Sequence, residues 1–193
     1  MVGYPNQKKS FERVKQTTSN RGMKFEQMIN ETNEYYKEHD IALIYKKPIP
    51  IQIVTVDYPS RSGAVIKEAY YKIPSTTDYN GIYKGQYIDF EAKETQHQTS
   101  FPLSNIHPHQ IEHLIHVEKH GGISFILIYV KVKDTIYFLE TKYLIGYHNR
   151  SIKGRKSISF VELAEKGHVI AEGFAPRVPY LNVVDYLMTQ KKA

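Results

Sequence analysis

The sequence predicts an α/β (α+β) domain in which a mixed β-sheet is flanked by helices. Three observations carry this. Helical and strand-like periodicities alternate along the chain in the order helix, strands, helix, strand, strand, helix. The run Ile123–Val132 is strongly apolar and β-branched, as a buried central strand must be. The 193 residues are 41% hydrophobic and 24% charged, which suits one domain with a real core.

Each element has a local reason. Residues 1–20 carry Lys8, Lys9, Arg13 and Lys15 among polar residues with poor apolar periodicity, and read as a flexible basic arm. The first helix starts near Arg21; Phe25, Met28, Ile29, Thr32, Tyr35 and Tyr36 recur at helical spacing until the polar stretch Glu38-His39-Asp40. Two strand-like runs, Ile41–Lys46 and Ile51–Val56, are separated by Pro48-Ile49-Pro50. Residues 58–75 are too long for a simple connection and read as a projecting stalk with some strand character. A turn at Tyr79-Asn80-Gly81 leads to a strand at Tyr87–Lys93. A helix at Pro108–Lys119 is closed by Gly121-Gly122. After the central strand comes another at Thr135–Glu140. Ser159 caps a helix to about Glu165, with Glu162 at the capping-box position, and Asn182 caps a last helix, Val183–Thr189. Residues 21–193 thus form a single domain.

Composition narrows the chemistry. The absence of cysteine excludes disulfides, a thiol nucleophile and thiolate zinc sites. The apolar run Ile123–Val130 is too short to span a bilayer, and the basic N-terminus lacks the apolar stretch of a secretory leader, so a cytoplasmic location and no membrane partner are expected. A net charge of +6 favours a polyanionic partner. The 16 tyrosines read mostly as strand formers.

The informative segment is DYNGIYKGQYIDFEAK, residues 78–93. In its strand, Ile88, Phe90 and Ala92 point to one side and Asp89, Glu91 and Lys93 to the other. An isolated E-x-K is ordinarily a salt-bridging surface pair. The upstream Asp78 changes that reading, because a chain reversal between Asp78 and Glu91 brings two carboxylates together. Two carboxylates with a carbonyl or water make a hard-oxygen site for Mg²⁺ or Mn²⁺. Such an ion lowers the pKa of a bound water, and a lysine beside it stabilises charge on a phosphate. Asp89 shares the face of Glu91 and is the rival ligand. His109, His113 and His116 recur at helical spacing, but without H-E-x-x-H or cysteine they are expected at the core edge or near phosphates rather than on zinc.

The spacing Asp-x₁₂-Glu-x-Lys resembles the PD-(D/E)xK nucleases, although Thr77 rather than proline precedes Asp78. Longer stretches are more specific. STTDYNGIYKGQYIDFEAKETQHQTSFPL, HPHQIEHL, NRGMKFE at 20–26 and DYPSRSGAVIKEAYY at 57–71 resemble the RecU family of Holliday junction resolvases from about residue 20 almost to the C-terminus. The resemblance implies a nuclease-like core with Asp78, Glu91 and Lys93 as catalytic residues, and Thr76 and Gln110 joining Asp78 and Glu91 around Mg²⁺. It also implies a homodimer, a stalk that enters the junction, and a role beside the RecA recombinase. Candidate DNA contacts are Arg21, Lys46, Arg61, Lys67, Tyr70, Tyr71 and Lys72, each of which alone could be a solvated surface group. Arg150, Lys153, Arg155 and Lys156 form a second basic cluster, read as a loop near DNA or simply a soluble loop. Two alternatives remain open at this point: a basic DNA-binding recombination modulator that does not cut, and a nuclease that cuts ordinary duplex.

Overall fold

The structure, a computed structural model, describes residues 19–60, 63–72 and 76–190, without the side chains of 19–24. Residues 1–18 of the expected basic arm, Arg61 and the side chain of Arg21 lie outside the described residues.

Ten strands and five α-helices are described. They are α1 (Ser19–Glu38), β1 (Leu43–Lys46), β2 (Ile51–Ser60), β3 (Gly63–Tyr71), β4 (Tyr79–Tyr83), β5 (Gln86–Thr95), β6 (Ser100–Pro102), α2 (Pro108–Lys119), β7 (Ile123–Val130), β8 (Thr135–Glu140), α3 (Thr141–Ser151), β9 (Ser157–Ser159), α4 (Phe160–Lys166), β10 (His168–Ile170) and α5 (Leu181–Gln190). Six strands form one sheet in the order β1-β4-β5-β7-β8-β10. Only the central β5–β7 pair is parallel, linked by the crossover that contains α2. This is the mixed sheet flanked by helices that the sequence predicts.

β7 reads ISFILIYV because it is buried on both faces. Phe125, Leu127 and Tyr129 join a core with α1 and α5, while Ile126, Ile128 and Val130 join another with α2, α3 and α4. Ser124 is tolerated in this run because its hydroxyl bonds to Leu114 C=O at 2.9 Å and lies 2.7 Å from the Thr141 hydroxyl, tying α2 and α3 to the strand. On the α1 face, Tyr79, Phe90, Phe125 and Phe138 stack ring on ring across β4, β5, β7 and β8, with centroid separations of 4.8, 4.8 and 4.1 Å. Tyr180 leans against Phe90 and Phe125 and closes this row from the C-terminal segment.

Three expectations need correcting. The turn falls at Lys84-Gly85, both at positive φ, rather than at Tyr79-Asn80-Gly81, which belong to β4. Gly81 is needed there because β1 crosses very close: an added Cβ would sit 2.1 Å from Leu43 C=O. Ile51–Val56 does not enter the main sheet. It pairs with β3, so the projection is a two-stranded ribbon from Ile51 to Tyr71 rather than a stalk starting at residue 58. Pro48 and Pro50 explain the departure, since neither can donate to a ladder; the last rungs on either side are Lys47 N–H to Asp78 C=O at 2.7 Å and Lys72 N–H to Pro50 C=O at 2.9 Å. Finally, Thr141–Ser151, which carries Arg150, is a helix that sequence periodicity did not reveal.

Phe90 sits in the middle of the ring stack and is fully buried. Phe90→Ala should lower unfolding free energy by about 3–5 kcal/mol, read by urea denaturation. Phe90→Leu should cost clearly less, because it keeps most of the buried volume.

Candidate active site

The β4–β5 hairpin builds the site by register. Tyr79 faces Phe90, and one step further along the same pairing Asp78 comes opposite Glu91. The Asp78 N–H donates to Glu91 Oε2 at 3.1 Å. Lys93, two residues along β5 on the same face, places Nζ 2.6 Å from Glu91 Oε1. Asp78, Glu91 and Lys93 are therefore brought together. Glu91 is fully buried, whereas Lys93 and Asp78 reach the surface of a cleft of about 440 Å³. Other residues lining the cleft include Glu26 of α1 and Ser104, Asn105 and His107, which precede α2.

Electrostatics separate the two buried carboxylates of β5. Glu91 is pushed up to about 8, first by burial and then by the negative charge of Asp78, with Lys93 opposing both. It is thus a carboxyl group short of positive charge. Asp89 is equally buried but saturated: Lys47 donates at 2.7 Å, Tyr87 at 2.8 Å, the Thr77 hydroxyl bonds its other oxygen, and His113 Nε2 lies 3.0 Å away. Asp89 is a structural anchor between β1, β4, β5 and α2, and its pairing with a lysine leaves Asp78 as the cross-strand partner of Glu91.

The other expected site residues fall in different places. Thr76 lines an adjoining cavity of about 570 Å³ at the base of the ribbon, with Glu26, Lys46, Lys47, Thr77 and Asp78. Gln110 is buried at the start of α2, where its Oε1 accepts from His107 N–H at 3.0 Å and caps the helix. Lys46 is bonded to Glu26. Lys67, Tyr70, Tyr71 and Lys72 are exposed on or beside the ribbon, with Lys67 paired to Asp57 at 2.6 Å and Tyr70 donating to Glu68. His113 serves Asp89, and His107 stacks on His109 with centroids 5.4 Å apart.

Sequence reasoning missed Glu26, Lys47, Ser104, Asn105 and His107. Glu26 stood inside the quoted stretch NRGMKFE, and its place beside core residue Phe25 on a helix was the available signal. Lys47 gave none, since its role depends on β1 lying against β4.

The acidic groups around the cleft, Asp78 and Glu91 with Glu26 nearby, offer hard oxygen donors, and His107 also lines it. That suits a hard cation such as Mg²⁺, and the depleted positive charge at Glu91 is what such an ion would relieve. Among the described residues no three acidic or histidine side chains gather tightly enough to hold an ion alone, so water or backbone oxygen would complete the shell.

Glu91 and Lys93, two residues apart on central strand β5, are faced by Asp78 just before β4, which is the grouping expected from the spacing Asp-x₁₂-Glu-x-Lys. The family model "Recombination protein U" matches residues 20–186, and the chain belongs to the RecU family. It is 56% identical over 172 residues to the Holliday junction resolvases RecU of Bacillus thuringiensis and Bacillus cereus, covering 89% of this chain and 86% of each relative. Among solved structures it overlaps the Holliday junction resolvase Hjc of Archaeoglobus fulgidus with a TM-score of 0.44 and 11% identity, over 76% of this chain and 93% of that one.

Two measurements check this electrostatic account. Asp89→Ala strands Lys47 in a closed environment and should destabilise the fold by about 3–5 kcal/mol, with Asp89→Asn milder, both by chemical denaturation. Glu91 has a folded pKa near 8 against an ordinary unfolded value, so it binds more protons folded than unfolded. Its contribution is fully present below the unfolded pKa and is lost as pH rises toward 8. Metal-free protein should therefore lose thermal stability relative to Glu91→Gln between pH 5 and 9, and Mg²⁺ should restore it. A pH-independent difference would contradict this.

Proposed function

We propose that this chain is a Mg²⁺-dependent endonuclease that resolves four-way (Holliday) DNA junctions in recombination and repair, acting as a homodimer. The observation that carries the reading is the convergence of Asp78, buried Glu91 and Lys93 on one cleft. Asp78 and Glu91 would hold the metal, which supplies an activated water and neutralises phosphate charge when bound. Mn²⁺ would fit the same oxygens. Lys93 needs no metal to be useful: tethered to Glu91, its ammonium is aimed at the cleft, where charge builds on the phosphate in the transition state. Such a trio gives the chain a reason to cut, which a purely DNA-binding modulator would lack.

The ribbon favours junctions over plain duplex and favours two copies. Its side chains Ile51, Ile53, Val54, Val65 and Ile66 are all about half exposed, and Tyr58 more so. A lone two-stranded ribbon is marginally stable, and this much exposed apolar surface argues for a second chain against it. A symmetric dimer would offer two equivalent cuts to two opposing strands. Lys67, Lys72, Tyr70 and Tyr71 lie on or beside the ribbon, where phosphates and unstacked bases of a branch point can be met. Family membership extends the reading to partnership with RecA and to the cytoplasm, where the nucleoid lies; no helix of the described residues is long and apolar enough to cross a membrane.

The test compares cleavage of a four-way junction with a duplex of equal length, with and without Mg²⁺. Asp78→Asn and Glu91→Gln should abolish cutting while keeping junction binding, and folded Asp89→Asn should still cut. Lys93→Ala should slow single-turnover cleavage a hundredfold or more, on the order of 3 kcal/mol. Replacing residues 62–72 with a short Gly-rich turn should erase the junction-over-duplex preference. Metal-independent cutting, or equal use of duplex by the intact chain, would defeat the reading.

A further inference from the structure

The cleft itself is acidic. Asp78, Glu91, Glu26 and Glu94 lie in or around it, and its nearby lysines are already engaged: Lys93 with Glu91, Lys46 with Glu26, and Lys131 with Glu94 at 2.5 Å. Attraction for a polyanion must then come from cations on the rim. The cleft is also one part of a longer trough. It shares Glu26 and Asp78 with the cavity at the ribbon base, and Glu94 and Asn105 with a third cavity of about 380 Å³ lined also by Thr95, Gln96 and His97. The trough thus runs from the ribbon past Asp78 and Lys93 to Asn105.

A cationic loop stands at that far end. β9 pairs antiparallel with β6, and Leu103 N–H donates to Lys156 C=O at 3.1 Å. Ser104 and Asn105, the next two residues, are cleft wall. Lys156 is therefore tied by backbone to the wall of the catalytic cleft. Lys153, Arg155 and Lys156 are exposed, and none of the three forms an ion pair among the described residues. Arg150 differs: it bonds Glu162 and donates to Ser157 C=O at 2.9 Å, fastening the loop to α3 and α4. Glu162 is held down to about 2, chiefly by that guanidinium. Gly154 packs closely over the end of α3, where an added Cβ would lie 3.1 Å from Arg150 C=O. Arg155 Nε donates to Ser157 Oγ at 3.2 Å, so the loop is anchored while its exposed charges make no ion pair among the described residues.

We infer that the loop 152–156 is a phosphate clamp that grips the sugar–phosphate backbone of the junction arm on the side of the cut away from the ribbon. This rests on the reading of the chain as a junction nuclease. The clamp reads charge and not branching, so it supplies affinity and holds the scissile strand in the trough, while the ribbon supplies shape selection.

The experiment uses the full chain without divalent metal and measures junction and duplex affinity over a series of salt concentrations. Lys153→Ala/Arg155→Ala/Lys156→Ala should bind the junction at least about tenfold more weakly at 0.1 M salt, from the loss of about three phosphate contacts. Its log–log salt slope should shrink by about 2–3 (roughly 0.9 per lost phosphate contact). The junction-to-duplex ratio should stay within about twofold of wild type, unlike the ribbon replacement, because phosphate contacts carry no shape information. Lys153→Arg/Lys156→Arg should bind as wild type. Lys119→Ala, at the far end of α2, controls for net charge. Unchanged affinity and slope, or an equal loss per charge from Lys119→Ala, overturns the clamp. Unfolding curves identify a misfolded triple variant, in which case the three single variants, each with a slope reduced by about 1, decide the matter: no change in any of them overturns the clamp. If the wild-type chain binds neither junction nor duplex, the nuclease reading fails first; if it binds and the triple variant binds identically, only the clamp falls.

Discussion

The stacked rings of Tyr79, Phe90, Phe125 and Phe138 fix how β4, β5, β7 and β8 lie against one another, and the meeting of Asp78, Glu91 and Lys93 hangs on that register. Side chains alternate across a sheet, so a one-residue slip of β4 on β5 would turn Tyr79 out of the core and take Asp78 away from Glu91. The aromatic face pays no part in the chemistry directly. It stabilises only the pairing in which Asp78 N–H meets Glu91 Oε2. The close crossing of β1 over Gly81 holds β4 from its other edge.

Two buried carboxylates two residues apart on β5 show how surroundings assign roles. Asp89 has donors from Lys47, Thr77 and Tyr87 and a histidine at hydrogen-bond distance. Its charge is fully matched, and it serves as a rivet among four elements. Glu91 has a single lysine, one backbone N–H and a neighbouring aspartate, and burial drives its pKa upward. An unmatched buried carboxylate is costly to a protein at rest. It would be useful where a cation is to be received, so the same strand holds a structural pin and, two residues on, a carboxyl group short of positive charge.

Much of this was legible in the sequence for identifiable reasons. The apolar run of β7 can only be central, α2 spans Pro108–Lys119 as its proline start and double-glycine end require, and Ser159 with Glu162 forms the capping box of α4. Asp78, Glu91 and Lys93 emerged because strand alternation and one chain reversal suffice to bring them together. What stayed hidden depended on contacts between distant segments. Lys47 acquires meaning only when β1 docks on β4, and Glu26 only when α1 crosses the sheet. The strand-like pattern of Ile51–Val56 was real, but pattern alone does not say which strand is the partner, and the two prolines before it send the pair outward.

The rungs at the ribbon's foot join two jobs in one piece of backbone. Lys72 bonds Pro50 at the end of the ribbon, and Lys47 bonds Asp78 at the edge of the main sheet. Lys47 also grips Asp89 through its side chain. A torque applied to the ribbon would therefore reach the peptide of Asp78 itself, with no intervening domain to absorb it. The Lys47–Asp78 rung would then serve as the fulcrum of a short lever: a tilt of the ribbon would also turn the backbone that carries Asp78 against Glu91, so the two would move as one mechanical piece.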